Sequence, residues 1–393
     1  MARRAEKLAF VTPWYGAGAL GGAELVCRST AEHLAAAGVP VEVLTTCARD
    51  LFSGWTADYY PPGTTVEQGV TVRRFPLDRT PLTTFGELNA RLIAGRRLTA
   101  EEELDYFRQS VNSQALYDYL DRERARTIYL FIPYPFGTTF FGAQVAPEQS
   151  YLIPCLHDEG YARMRCWQPV FRAVRGVICL SEPERALAHQ LYDLPPEKLH
   201  LWGAGVDTTL VGDAERFRRT VRLEGPFVLA VGRRDATKNT PLLIEYAVRY
   251  LVHHPRGPAF VLIGSGEVSI PPRFRHRIID LGRVHDQLKA DALAAALALV
   301  QPSRNESFSF VVMESWLQRR PVLVNGASAV LVHHCLASGG GLPFGSFAEF
   351  AGCLDWFREH PEQAAQMGEA GRRYVLAHFS WPHLIERYGG LLG

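Results

Sequence analysis

The sequence offers little for several kinds of chemistry. Its seven cysteines form no C-x-x-C pair and are odd in number. That disfavours a disulfide framework and a structural zinc site, and leaves reduced thiols in apolar runs as the plain reading. No H-E-x-x-H and no D-x-D stretch occurs, so no metal is expected. The adjacent pairs His253-His254 and His333-His334 are no ligand sets, because neighbouring side chains diverge on a helix or strand. Charge of one sign is also missing: 42 Lys and Arg stand against 41 Asp and Glu, for a formal net charge of +1. Such a balance gives no support for nucleic-acid binding, although Arg91, Arg96 and Arg97 form a local basic patch. No apolar run reaches eighteen residues, and the opening "MARRAEKLAF" passes straight into a strand pattern. Neither a signal peptide nor a membrane anchor is expected, and a cytoplasmic location follows as the default.

What is present is an alternation of short β-branched runs with helical patterns, the signature of parallel α/β structure. Strands are predicted at 7–12, 41–46, 70–75, 127–132, 150–157 and 176–181, with helices at 22–37, 108–124, 161–174 and 182–192. The polar stretch 77–107 reads as a partly helical surface excursion. A second series places strands at 226–232, 259–266, 278–284, 297–303 and 321–326, with helices at 240–254, 286–296, 307–318 and 346–358. The glycine-rich stretch 201–213 separates the two series. The expected architecture is α/β, two Rossmann-like domains facing each other across a cleft, with ligand at the strand carboxyl ends. The domains are 1–205 and 206–380, and a last helix, 381–393, returns to the first.

Gly16, Gly18 and Gly21 have the spacing G-x-G-x-x-G, with Glu42 about twenty residues on, as in a dinucleotide-binding fingerprint. Against a dehydrogenase, Pro13, Trp14 and Tyr15 intervene after "FVT", the helix starts only near Gly22, and Glu42 lies inside the next strand. The glycines read better as a loop in which Gly21 and Gly22 approach a phosphate-bearing ligand, with the following helix aiming its positive end there.

The richest stretch is "QPSRNESFSFVVMESWLQRRPVLVN", 301–325. Glu306 and Glu314 are eight residues apart, and a helix starting near Ser307 would present free amides beside Glu306. Carboxylates accept sugar hydroxyls well. The plain alternative is a helix-dipole partner and an exposed helical residue. "VGRRDATKNTPLL", 231–243, follows a strand and offers Arg233 and Lys238 as a diphosphate clamp, with Arg234 as rival to Arg233. Asn239 or Thr240 could cap the helix behind it. "LIGSG" (262–266, with Gly264) and "LGRVHD" (281–286) are further strand-end turns.

These motifs resemble the retaining nucleotide-sugar glycosyltransferases of family 4, which have the GT-B fold. Glu306 and Glu314 match the family's E-x7-E pattern; Gly232, Arg233 and Lys238 match its G-R…K motif; Pro302, Ser303 and Glu306 match its strand exit. The resemblance implies that Glu306 holds donor-sugar hydroxyls and Glu314 the ribose. Ser307, Phe308, Ser309, Phe310 and Val311 would meet sugar and diphosphate through backbone amides. Arg233 and Lys238 would stabilise the leaving phosphate, and Arg283 and Val284 would pass beside the base. Ser307-Phe308-Ser309 replaces the frequent G-F-G, which leaves donor identity open. In the first half, "GGAE" (21–24) resembles a G-G-x-E loop, and "CLHDEGYAR" (155–163) an H-D-x-x-Y-A element whose histidine, here His157, faces the donor sugar. Ser181 of "VICLSEPERAL" reads as an N-cap. Ala204 stands where P-N-G-V-D linkers have asparagine.

The implied activity is metal-independent, retaining transfer of a hexose from a UDP- or GDP-sugar, which is a substrate, so no cofactor is expected. The acceptor would be a glycan, a lipid-linked or a small-molecule hydroxyl, in cell-surface polysaccharide synthesis, with peripheral membrane contact open. Trp14, Tyr15, Phe85, Tyr134, Phe136 and Phe140 are candidates for a stacking or lipid-facing surface, or for ordinary packing. Alternatives are a non-catalytic sugar-nucleotide binder, a phosphorylase or epimerase of the same architecture, and the dehydrogenase.

Overall fold

The computed structural model describes residues 5–16 and 21–393. Gly18 of the glycine fingerprint lies outside the described residues. The chain divides into two compact units, one running to Gly205 and resuming at Trp381–Gly393, the other Val206–Ser380.

The first unit carries β1 (Lys7–Trp14), β2 (Val41–Ala48), β3 (Gly63–Glu67), β4 (Val70–Phe75), β5 (Thr127–Phe131), β6 (Ser150–Leu152), β7 (Gly176–Cys179) and β8 (Leu199–Leu201). Their order in the sheet is β3-β4-β2-β1-β5-β6-β7-β8. Every pairing is parallel except β3 with β4. The second unit carries β9 (Phe227–Val231), β10 (Ala259–Ile263), β11 (Ile278–Asp280), β12 (Ala298–Gln301), β13 (Val322–Asn325) and β14 (Gly341–Phe344), ordered β11-β10-β9-β12-β13-β14 and parallel throughout. Central strands such as β5 and β10 are buried along their whole length, as sheets covered by helices on both faces require.

Three strands escaped the sequence reading. The exposed edge strand β3 turns into β4 through Gln68 and Gly69, both at positive φ, the signature of a tight hairpin. The strand β8 has three residues, and β14 contains Pro343, which an edge strand tolerates. The helix expected over 108–124 runs only from Gln114 to Glu123, after a separate helix, Ala100–Arg108, that belongs to the excursion. Between them the Asn112 amide donates to the carbonyls of Phe107, Arg108 and Ser110, and Ser113 caps the second helix. The excursion 77–107 contains the helix Phe85–Ile93, and Arg91 there pairs with Glu102 at 2.6 Å. The helix expected over 161–174 begins as a 3₁₀ turn, Gly160–Arg163, and becomes α only at Trp167–Ala173.

The last helix, Trp381–Gly389, packs on the first unit. Trp381 stacks on His33 at 3.7 Å between centroids, and Tyr388 packs against Phe10 and Trp202. Gly205 lies under the Trp381 ring, where any Cβ would overlap it.

The aromatic candidates form core. Trp14 (2% exposed), Tyr15, Tyr134, Phe136 and Phe140 are buried, and Phe85 is half-buried. Trp14 stacks on Trp55 and meets the edge of Phe136 at 4.9 Å. These rings stabilise the unit by burial and edge-to-face contact, and they offer no exposed stacking or lipid-facing surface. No described helix is long and apolar enough to cross a membrane.

In the second unit His334 is 1% exposed, with Nδ1 3.1 Å from the Tyr374 hydroxyl. Burial, helped by the neighbouring His333 charge, pushes its ring down to about 3. A histidine buried neutral stabilises the fold above the free-histidine value, and that contribution is lost as the pH falls below it. Stability of the wild type relative to His334→Leu should therefore fall by about 2 kcal/mol between pH 6.5 and 5. Paired thermal melts check this; a difference independent of pH would contradict it.

Candidate functional site

In the second sheet β9 lies between β10 and β12, so the strand order reverses there. A crevice at such a reversal, beyond the strand carboxyl ends, is where open α/β sheets take ligands. Gly232 follows β9 and Gly264 follows β10, with φ of +147° and +146°. Their backbones touch: a Cβ on Gly264 would overlap the Gly232 carbonyl. The Gly232 amide donates to Ile263 O (2.9 Å), Arg234 N to Ser265 O (2.7 Å) and Gly264 N to Gly282 O (2.8 Å). Three strand-end turns are thereby layered into one ledge.

This layering separates the two rival arginines. The Arg234 guanidinium pairs with Asp280 and donates to Gly266 O at 2.6 Å, so it pins the ledge from beneath. Its side chain is only 10% exposed. Arg233 instead lies over its own turn, with Nε 3.2 Å from Asp235 and a donor 3.1 Å from the Thr237 hydroxyl. Burial works against the Asp235 charge, but hydrogen bonds from Thr237 and the Lys238 amide, with the Arg233 charge, hold its carboxyl below the usual range.

Lys238 closes the turn and reaches across to the turn after β12, where its Nζ is 2.7 Å from Glu306 Oε1. The turn that carries Glu306 is fixed by the Pro302 carbonyl, which accepts from the side-chain amides of Asn239 (3.0 Å) and Asn325 (2.8 Å). Asn239 is thus a tie between loops, and it makes no side-chain cap for the helix Thr240–His253. The helix expected from Ser307 starts at Phe310 and ends at Leu317. Ser309 precedes it in the left-handed region (φ 75°), its buried hydroxyl accepting from Gln301 at 3.3 Å. Ser307 is half-buried, whereas the Phe308 side chain is core, packed on Phe310, His334 and Phe379. Only its backbone is left to meet a ligand. The amides of Phe310 and Val311 head the helix, where intrahelical acceptors are missing.

Glu314, one turn into that helix, meets Lys289 of the helix Asp286–Ala295 at 2.8 Å. Burial opposes the Lys289 charge, yet Glu314 and Asp286 outweigh it and raise its pKa. Both glutamates of the pair therefore carry a lysine partner. Arg283 is exposed and Val284 half-buried in the turn after β11.

In the first unit β1 extends to Trp14, so Gly16 follows the strand more closely than the sequence suggested. The dinucleotide reading fails on the next two elements. The helix Gly22–Ala36 opens after the last fingerprint glycine, with Gly21 as its N-cap. Glu42 sits at the amino end of β2, buried and paired with Lys7 at 2.6 Å, far from the carboxyl end where a ribose would lie. Glu24 folds back over Gly21, where a Cβ would overlap its carboxylate, and accepts from Trp14 Nε1 at 2.8 Å. Gly22 has open space around its Cβ position and needs no glycine for packing.

His157 follows β6, with its side chain 27% exposed and Nδ1 3.5 Å from Glu159 Oε1. The loop is held by Glu184, which is fully buried and accepts from the amides of Leu156 (2.6 Å) and Leu180 (2.5 Å). Burial pushes the Glu184 carboxyl up to about 7 against the pull of those hydrogen bonds and of His157. Ser181 does cap its helix, accepting from the Glu184 amide. The spacing Ser181-x-x-Glu184 is a capping-box signal from which Glu184 could have been found. No sequence signal marked Lys289, Asn325 or the Arg234–Asp280 pair, which join residues remote in the chain.

Two family models match the chain: Glycosyltransferase Family 4 over residues 20–210, and Glycosyl transferases group 1 over 225–343. Among curated proteins, a D-inositol 3-phosphate glycosyltransferase of Acidothermus cellulolyticus is 26% identical over 78% of this chain and 71% of its own. Another of that name, from Jonesia denitrificans, is 26% identical over 60% of this chain; the match spans 61% of that relative's length. Among solved structures, Anabaena HepE in complex with UDP and glucose superposes with a TM-score of 0.66 at 16% identity, covering 98% of this chain and 99% of that one. The two parallel α/β units thus have the GT-B fold. The family 4 model thus covers nearly half of the chain and the group 1 model much of the remainder, so both units are of glycosyltransferase type.

Gly264→Ala should unfold or loosen the second unit first, since it combines a positive φ with backbone overlap. A loss of at least ~2 kcal/mol is expected. Hydrogen exchange at 226–232 and 259–266 measures it, and unchanged protection there would contradict the layered ledge.

Proposed function

We propose that the protein transfers a hexose from a nucleotide diphosphate donor, with retained anomeric configuration and without a metal. The observation that carries this reading is the Lys238–Glu306 contact at the order reversal of the second sheet, beside a glycine ledge and a helix N-terminus. A cation and a carboxylate in contact there match a ligand that is anionic at one point and hydroxyl-rich at the next. The diphosphate lies over Gly232 and the head of the helix Phe310–Leu317, where backbone amides and Lys238 and Arg233 meet its charge. Glu306 accepts hydroxyls of the sugar, Glu314 those of the ribose, and Arg283 and Val284 border the base.

Charge grows on the leaving diphosphate as the glycosidic bond breaks. Arg233, Lys238 and the helix amides stabilise that charge more than the ground state, which lowers the barrier. The leaving phosphate oxygen takes the acceptor proton as the acceptor hydroxyl attacks the same face. The relative solved with UDP and glucose favours a UDP-hexose donor, with GDP-sugars as the other class. Relatives named for inositol 3-phosphate favour a small hydroxylated acceptor over a glycan or lipid-linked one. Synthesis of cell-surface polysaccharide and peripheral membrane contact belong to the lipid-linked version.

A thermal-shift panel of UDP, GDP and ADP with their sugars tests the donor; silence towards every one overturns the proposal. Lys238→Ala and Arg233→Ala should each weaken diphosphate binding roughly ten- to a hundredfold, as expected for one charge-assisted hydrogen bond, and nucleoside binding far less. Glu306→Ala should lose turnover while the chain stays folded; normal turnover removes its role.

A further inference from the structure

The basic patch marked in the sequence, Arg91, Arg96 and Arg97, lies in the first unit and takes no part in the donor reading. Arg91 is committed: it pairs with Glu102 at 2.6 Å, and its Nη2 also reaches the Arg97 carbonyl at 3.3 Å. That contact braces the turn after the helix Phe85–Ile93, in which Gly95 has a φ of 71°. Arg96 and Arg97 leave the turn exposed, at one wall of a cavity of about 260 Å³.

Another wall comes from the segment 160–168, which is docked closely on the same turn. A Cβ on Gly160 would overlap the Leu92 carbonyl, and the Tyr161 hydroxyl donates to Asn89 at 2.6 Å. Glu103 accepts from the amides of Arg165 (3.0 Å) and Cys166 (2.9 Å), and Arg163 pairs with Asp158 at 2.6 Å. Every lining residue belongs to the first unit.

The acids here are already engaged. Arg96, Arg97 and Arg165 form no ion pair within 4 Å among the described residues, and of the lining groups only Glu103 opposes their charge. A helix C-terminus accounts for cations that directly follow it, such as Arg96 and Arg97. It does not account for Arg165, which a remote segment brings to the same cavity. Gln168 lines it too: its side-chain nitrogen donates to Leu191 O at 3.0 Å, and its Oε1 is buried with no hydrogen-bond partner among the described residues. A buried acceptor left without a donor is costly.

Arginines without acids suit an anion, and phosphate fits their forked donors. The unused amide oxygen suits a hydroxyl. We propose that this cavity binds the phosphate ester of a small hydroxylated molecule, with Arg96, Arg97 and Arg165 meeting the phosphate and Gln168 Oε1 accepting from a hydroxyl. The volume lies just below the roughly 300–1,000 Å³ of drug-sized pockets, so it admits one phosphorylated ring and not a nucleotide sugar. The site is separate from the donor reading, which rests on the second unit.

Titration calorimetry of the full chain with glucose 6-phosphate, inorganic phosphate and glucose tests this. The ester should bind about tenfold more tightly than phosphate, and far more tightly than glucose. Arg97→Ala and Arg165→Ala should each weaken both anions roughly ten- to a hundredfold, with thermal melts unchanged. Gln168→Met should weaken the ester and spare phosphate. Lys238→Ala, in the second unit, should leave ester binding intact. Ester affinity that survives both arginine variants, or that is lost only with Lys238→Ala, overturns the proposal, as does the absence of ester binding. Phosphatidylcholine vesicles with and without phosphatidic acid distinguish the source. Retention on phosphatidic acid that needs Arg97 assigns the ester to a lipid headgroup; ester binding without such retention assigns it to a soluble molecule.

Discussion

The donor-side geometry depends on one close approach, the contact of the Gly232 and Gly264 backbones. A side chain at Gly264 would overlap the Gly232 carbonyl and hold the β9 and β10 turns apart, whereas at Gly232 only the positive φ favours glycine. With none, the amides of Gly232, Arg234 and Gly264 find carbonyl partners in the adjacent turn. The backbone itself then carries part of the support of these turns. Arg234 is consumed in locking this arrangement against Asp280, which is what leaves Arg233 and Lys238 on the open side.

A second theme is the use of carboxylates to hold backbone amides and rings. Glu184 gathers the amides of Leu156 and Leu180, Glu103 those of Arg165 and Cys166, and Glu24 the Trp14 indole. Glu159 takes the buried Tyr134 hydroxyl. Each satisfies donors that would otherwise be costly to bury. The loops carrying candidate functional side chains are therefore held by polar ties, while apolar packing holds the sheets beneath them.

Much of this was legible beforehand because it is local. Continuous β-branched runs marked the buried strands, and glycines after them marked the turns at which Gly232 and Gly264 sit. The E-x7-E spacing pointed to Glu306 and Glu314. Legibility failed where sequence neighbours compete or distant residues decide. Asn112 breaks an apparently continuous helical pattern by taking three carbonyls, and Ser309 delays a helix through a left-handed turn. Trp14, Phe136 and Tyr134 were open to both a recognition surface and ordinary packing, because composition cannot tell a buried ring from an exposed one; the structure shows packing.

The sequence by itself determined the parallel α/β class, the two series of strands and the chemistry at their ends, since hydrophobic period and turn residues act over a few positions. Only the tertiary structure decided which charges are committed and which remain on the open side. Arg233 and Arg234 are adjacent and chemically identical, and Glu42 and Glu306 are both acids near strands. Their fates differ because pairing depends on what a sheet of fixed strand order brings alongside: Asp280 for Arg234, Lys7 for Glu42, Lys238 for Glu306 and Lys289 for Glu314.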